Sequence, residues 1–174
     1  MEIINGERLV LGTCYYPEHW DESLWRDDLR RMLENGIEVI RIAEFAWSKI
    51  ERYEGVFNYD FFDRFLDLAE EMGMKVIFCT PTATPPAWLT EKYPEVLNAN
   101  MDGVLYRHGA RRHYNYNSPK YQELTRIIVE KSASHYAKHP AIIGWQIDNE
   151  LNCEKDVFYS ESDTIAFRKF LEKK

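Results

Sequence analysis

Cysteine is sparse in this 174-residue chain, with only Cys14, Cys79 and Cys153. Three scattered cysteines cannot build a disulfide framework, and Cys14 and Cys79 fall within or beside apolar runs, so buried thiols are expected. Long hydrophobic runs are absent too. No stretch approaches the roughly 20 apolar residues that a membrane-spanning helix needs. The opening MEIINGERLVLG lacks the basic-then-apolar order of a secretion signal, and a cytoplasmic protein is expected. Positive charge is also in deficit. A net charge of -7 argues against nucleic acid and anionic membranes as partners, because both are held by clustered Lys and Arg; RHGARRH at 107–113 is the exception.

Other signatures are missing. CYYPEHW, where a dinucleotide-binding fold would carry its glycine-rich loop, holds bulky rings and a proline that block close approach of backbone to pyrophosphate. There is no phosphate-binding P-loop and no nucleophile-elbow serine. His19, His108, His113, His135 and His139 form no pair at helical ligand spacing in an acidic context, so neither a metal nor a cofactor is expected. What the chain has in quantity is apolar and aromatic surface. Hydrophobic residues make up 45% and aromatic ones 14%, with 11 Tyr and 5 Trp, enough for a packed core and for a site that stacks flat apolar faces while bonding hydroxyls.

Four strand-like runs alternate with four helical patterns. RLVLGTCYY leads into DESLWRDDLRRMLENG, where Asp21 can cap, Leu24, Trp25, Leu29, Met32 and Leu33 form a face, and Gly36 is the stop. IEVIRIAEFAW leads through a loop into DFFDRFLDLAEEMG, with Asp60 as the candidate cap and Gly73 as the stop. MKVIFCT is the third strand, and its helix begins only at Ser118-Pro119, an N-cap followed by proline at the first helical position. AIIGWQI is the fourth strand, and SDTIAFRKFLEKK the last helix. This alternation predicts an α/β protein with a parallel sheet. With dinucleotide binding set aside, a (β/α)8 TIM barrel is preferred; such a barrel takes about 250 residues, so residues 1–174 are expected to supply its first four β/α units.

Unusual residues cluster after strand ends, where α/β folds bind ligands. GWQIDNE at 144–150 ends an apolar strand in Asp148, Asn149 and Glu150, either a functional carboxylate or a solvated turn. The segment 81–117 is far longer than the usual two to six residues of a βα loop; its prolines and aromatics predict an ordered wall presenting Trp88, Arg111 and His113, or else a cover for a barrel end. Arg41 lies inside an apolar strand and requires a carboxylate partner, with Glu44 or an acid from another strand as candidates. What remains is carboxylate chemistry with Glu150 as proton donor. It needs a second carboxylate about 5 Å away for retention or further for inversion, and no other acid obviously ends a strand on the right side.

The motifs GTCYYPEHW, IRIAEFAWSKIE, FNYDFFDRFLDLAEEMGMKVI, TPTATPPAWL, KYPEVL, RRHYNYNSP and GWQIDNE together resemble the N-terminal barrel half of glycoside hydrolase family 42 β-galactosidases, from about residue 10 to 152. The resemblance implies a TIM barrel in which Glu150 is the general acid/base, Asn149 holds a sugar hydroxyl beside the reaction centre, and Arg111 binds substrate. It places Arg41 beneath the nucleophile, itself a glutamate near the seventh strand and so beyond Lys174. Some members carry a zinc cluster of four cysteines; here Asn115 stands after RRHY and only Cys153 follows the NE motif, so no structural zinc is expected. Full-length members of that family often form trimers and contain further domains after the barrel, so the resemblance implies a homo-oligomer, a trimer, for the full-length protein.

The expected function is therefore a retaining β-galactosidase cleaving terminal β-galactosides, with this segment inactive alone for want of the nucleophile. Two alternatives stay open: another retaining barrel glycosidase, acting on β-glucosides or β-mannosides, and a non-catalytic half-barrel that binds sugars.

Overall fold

The computed structural model describes residues 9–109, 112–151, 153 and 157–174. In chain order the elements are β1 (Leu11–Cys14), α1 (Glu22–Glu34), β2 (Ile37–Ile42), α2 (Trp47–Ile50), β3 (Glu51–Tyr53), β4 (Val56–Phe57), α3 (Asp60–Glu71), β5 (Lys75–Cys79), α4 (Ala87–Lys92), α5 (Pro119–Tyr136), β6 (Ile142–Gln146) and α6 (Glu161–Leu171). Strands β1, β2, β5 and β6 form one sheet in that spatial order, all parallel. The expected α/β alternation is thus present.

Side chains alternate across the sheet. Ile40, Ile42, Val76 and Phe78 are fully buried in one core with Trp25 and Leu29 of α1, Phe62, Phe65 and Leu66 of α3, and Ile128 of α5. Edge-to-face rings lock the layers, with Trp25 centred 5.0 Å from Phe61 and 5.2 Å from Phe65. β1 needs Gly12 because a Cβ there would meet the Val39 carbonyl of β2 at 3.1 Å. Arg41, Cys79 and Gln146 belong to the opposite face, away from the helices.

The caps show which local signals operate. Asp21 accepts the Ser23 N–H and Ser118 accepts the Tyr121 N–H, as their spacing predicts. Asp60 does not cap α3. It is the first helical residue, Tyr59 is the N-cap, and the Asn58 side chain accepts the Asp60 N–H. α6 starts one residue before the expected Ser162, because Ser160 and Asp163 form a reciprocal capping box.

Two regions hold more structure than periodicity indicated. Between β2 and α3 lies the hairpin β3–β4, whose turn at Gly55 (φ +78°) is held by the buried Glu51 carboxylate; Glu51 accepts the Gly55 N–H and the Trp47 indole N–H, each at 2.7 Å. The described residues of the segment 81–117 are built from turns at Pro81–Ala83 and Pro94–Val96, helix α4, and bridges pairing Leu97 with Tyr114 and Ala99 with Leu105. Tyr114 is sealed and stacks on Tyr121 of α5 at 4.7 Å.

Candidate active site

The carboxyl ends of β1, β2, β5 and β6 surround a cleft of about 550 Å³ lined by Tyr16, Arg41, Phe45, Thr84, Asn149 and Glu150. Each residue reaches it because its strand has just ended or is about to. In parallel sheets with crossover helices, this end collects the loops and leaves a crevice for ligand.

Arg41 organises the floor. Its guanidinium donates to the Gln146 side-chain oxygen at 2.9 Å, to Cys14 Sγ at 3.0 Å and to Glu44 Oε1 at 2.6 Å. The partner expected for this in-strand arginine is thus Glu44, just past β2. Burial works against the Arg41 charge, but the anion beside it prevails and raises the Arg41 pKa. Glu44 Oε1 also accepts the Tyr16 hydroxyl at 2.9 Å, and burial together with that carboxylate pushes the phenol up to about 12. Tyr16 stays neutral and donates. Its ring stacks against Phe45 at 6.0 Å, forming an apolar wall.

Asn149 and Glu150 sit on a turn made of unusual backbone. Asp148 and Glu150 both have positive φ, 53° and 43°. The Asp148 N–H donates to Thr80 Oγ1 at 2.7 Å, its carboxylate accepts Thr82 Oγ1 at 2.8 Å, and Gln146 donates to the Asp148 carbonyl and to Asn149 Oδ1. Asn149 is buried at 7% exposure, whereas Glu150 is exposed to the cleft. One amide is therefore fixed in place beside one accessible carboxyl. Glu44 does not line the cleft and is fully buried, so Glu150 is the carboxylate that a ligand there meets among the described residues.

Arg111 lies outside the described residues. Of the two readings of the long loop, wall or structural cover, Trp88 and His113 fit the cover: the Trp88 indole donates to the Glu51 carbonyl at 3.0 Å, and His113 is buried at 3% exposure. Among the described residues of the long loop, Thr84 lines the cleft. Tyr16, Phe45, Thr84 and Gln146 carried no sequence signal of their own beyond standing at or next to a strand end. A second hollow of about 430 Å³ lies between α4 and residues 97–108.

Among the described residues, Asp67, Glu70 and His139 lie close enough together to hold a metal ion. Asp67 and Glu70 are exposed, the Ala141 N–H points at His139 Nδ1 at 3.3 Å, and His139 Nε2 faces Asp67 at 3.5 Å, a contact that a histidine–carboxylate pair explains without an ion. The cysteines are free thiols, with burial pushing Cys79 up to about 12. No described helix is long and apolar enough to cross a membrane.

A parallel sheet that delivers an amide, a carboxyl and a carboxylate-paired guanidinium to one cleft at its carboxyl end marks an α/β protein of the class that binds ligands beyond its strand ends. Within that class the chain belongs to glycoside hydrolase family 42, whose model, described as β-galactosidase, matches residues 14–174. β-Galactosidase Bga of Halorubrum lacusprofundi is 42% identical over 162 residues, 92% of this chain and 23% of that protein. β-Galactosidase BgaA of a Thermus species is 44% identical over 163 residues, 93% of this chain and 25% of that protein. The crystal structure of β-galactosidase from the psychrophilic Marinomonas ef1 superposes with a TM-score of 0.92 at 42% identity, covering 95% of this chain and 25% of that one. The chain spans about a quarter of the length of the curated relatives it matches.

Proposed function

We propose that residues 1–174 form the first four β/α units of a (β/α)8 barrel in a retaining β-galactosidase acting on terminal β-galactosides, with its nucleophile in sequence beyond Lys174. The observation that carries this reading is the fixed Asn149 beside the accessible Glu150 in the cleft at the strand ends. Four of the chain's parallel strands and its coverage of a quarter of its relatives support the half-barrel.

In the first displacement the Glu150 carboxyl gives its proton to the glycosidic oxygen while the C1–oxygen bond breaks and a carboxylate from the remainder of the protein bonds to C1. In the second, the Glu150 carboxylate takes a proton from water, the water oxygen bonds to C1, and the nucleophile is released. Asn149 holds a sugar hydroxyl in a contact that strengthens in the transition state. Arg41 lies beneath the attacking carboxylate and favours its ionised form, and Arg111 binds substrate. Free thiols and an acidic chain support a cytoplasmic location.

The test is hydrolysis of nitrophenyl glycosides by the complete polypeptide. The galactoside should turn over faster than the glucoside and mannoside, Glu150→Gln should remove about 100-fold or more of kcat, and the 174-residue chain alone should show no turnover. Preference for another sugar, or sugar binding without hydrolysis by the complete polypeptide, would overturn the assignment.

A further inference from the structure

Four non-glycine residues have positive φ among the described residues: Ala43 (74°), Arg112 (58°), Asp148 (53°) and Glu150 (43°). Left-handed backbone at a residue with a Cβ is disfavoured and persists only where surrounding bonds enforce it. Three of the four residues are tied together by one side chain. The Arg112 guanidinium, 4% exposed, donates through Nη1 to Asp148 Oδ1 at 3.1 Å and to the hydroxyls of Tyr114 and Tyr116, and through Nη2 to the backbone carbonyl of Glu150. The clamp spans both left-handed residues of the turn and, between them, Asn149.

The clamp is itself anchored. Asp148 takes the Thr82 hydroxyl on its other carboxylate oxygen at 2.8 Å, and Tyr121 of α5 donates to the Thr82 carbonyl at 2.7 Å. Tyr114 stacks on Tyr121. The chain of bonds therefore runs from the helix core through Arg112 to the peptide that carries the Glu150 side chain. An arginine suits this task because its planar fork carries donors on separate nitrogens, Nη1 toward Asp148 and Nη2 toward the Glu150 carbonyl, whereas an ammonium must make all its bonds from one nitrogen.

We infer that Arg112 is a positioning residue for the acid/base step: it holds the Asp148–Glu150 turn in its left-handed geometry and so fixes where the Glu150 carboxyl can place a proton. The inference rests on the proposed role of Glu150. Without the clamp the turn relaxes toward ordinary φ values, and a displacement of about 1 Å is enough to cost on the order of 100-fold in rate.

The experiment uses the complete polypeptide with Arg112→Met, Arg112→Lys and Glu150→Gln, assayed on galactosides of graded leaving-group acidity. Arg112→Met should lower kcat about 100-fold on poor leaving groups and far less on dinitrophenyl galactoside, with KM nearly unchanged. Arg112→Lys keeps a cation beside Asp148 but cannot also hold the Glu150 carbonyl, so it should show the same leaving-group dependence with a smaller loss. A role in stability alone predicts a lowered Tm with unchanged leaving-group dependence per folded enzyme, and that result overturns the inference. If Arg112→Met does not fold, Arg112→Lys decides: wild-type leaving-group dependence there is equally fatal. Failure of Glu150→Gln to impair turnover would remove the acid/base reading itself, whereas an inactive Glu150→Gln beside wild-type-like Arg112 variants would sink the positioning role alone.

Discussion

Arg41 and Glu44 meet at 2.6 Å with unequal burial: the carboxylate is wholly sealed while 29% of the arginine side chain remains exposed. The two ends of this pair are therefore not equivalent. Arg41→Met would strand an anion in the deeper position, whereas Glu44→Gln preserves an oxygen that can accept from Tyr16 and Arg41 and strands only a cation that water reaches. Breaking a buried pair from one side costs about 3–5 kcal/mol, and that range should apply to Arg41→Met. Glu44→Gln should cost less than half as much. Urea denaturation of both variants checks the order, and a larger loss for Glu44→Gln would show that the arginine is the poorly solvated partner.

Glu18 carries a pH dependence of stability. Its carboxylate oxygens are buried without hydrogen-bond partners, and burial raises its pKa above the ordinary 4.5. The folded state consequently holds this proton more tightly than the unfolded chain does. Stability falls as pH rises from the unfolded value through the folded one, and the loss is complete above it. Glu18→Gln should therefore raise the urea midpoint at pH 7 and leave it nearly unchanged at pH 4. An equal gain at both values would mean that ionisation of Glu18 is not what costs stability.

Asn115 is the hub that docks α6. Its amide nitrogen donates to the Ser160 hydroxyl, to Ser162 Oγ at 3.1 Å and to Asp163 Oδ2 at 2.6 Å, while its oxygen accepts the Asn117 N–H at 2.7 Å. Asn117 completes the knot by donating to Asp163 Oδ1 at 2.7 Å. Asn115→Ala should leave a buried carboxylate short of a donor and cost about 1–3 kcal/mol. Amide exchange should accelerate in α6 and not in α1, and uniform acceleration would contradict a local docking role.

The sheet and its three packed helices were readable because their signals are local. Asp21 and Ser118 act through residues two or three positions away, and the apolar faces of α1 and α3 repeat at helical spacing. The hairpin β3–β4 was not, since strands of three and two residues carry no periodicity and the turn depends on Glu51, which is held by Trp47 one helical turn before it. Within the site, GWQIDNE marked Glu150 and Asn149 because a strand ended in polar residues. Arg112 carried no such mark. It adjoins an identical residue, and only tertiary placement shows that its guanidinium turns inward to Asp148. Trp88 was open for the same reason: an indole in a long loop suits either a pocket wall or a structural cover, and only tertiary placement shows its N–H donating to the Glu51 carbonyl.

Glu150 and Asn149 are neighbours that face the same cleft, and their kinetic roles should separate. A general acid matters most when the leaving group is a poor one, because an activated phenolate departs with little protonation. Glu150→Ala in the complete polypeptide should therefore slow alkyl galactosides far more than dinitrophenyl galactoside. With the activated substrate the first displacement survives and hydrolysis of the galactosyl-enzyme becomes limiting. Added azide should then restore turnover, since it attacks C1 without needing a base. Asn149→Ala should lower kcat for every leaving group alike, by about 10- to 100-fold, because a lost sugar-hydroxyl contact weakens the transition state whatever departs. Azide should not rescue it. If Glu150→Ala instead lost equal activity on activated and unactivated galactosides and azide had no effect, Glu150 would be a solvated turn residue and the proton donor would have to come from elsewhere in the protein.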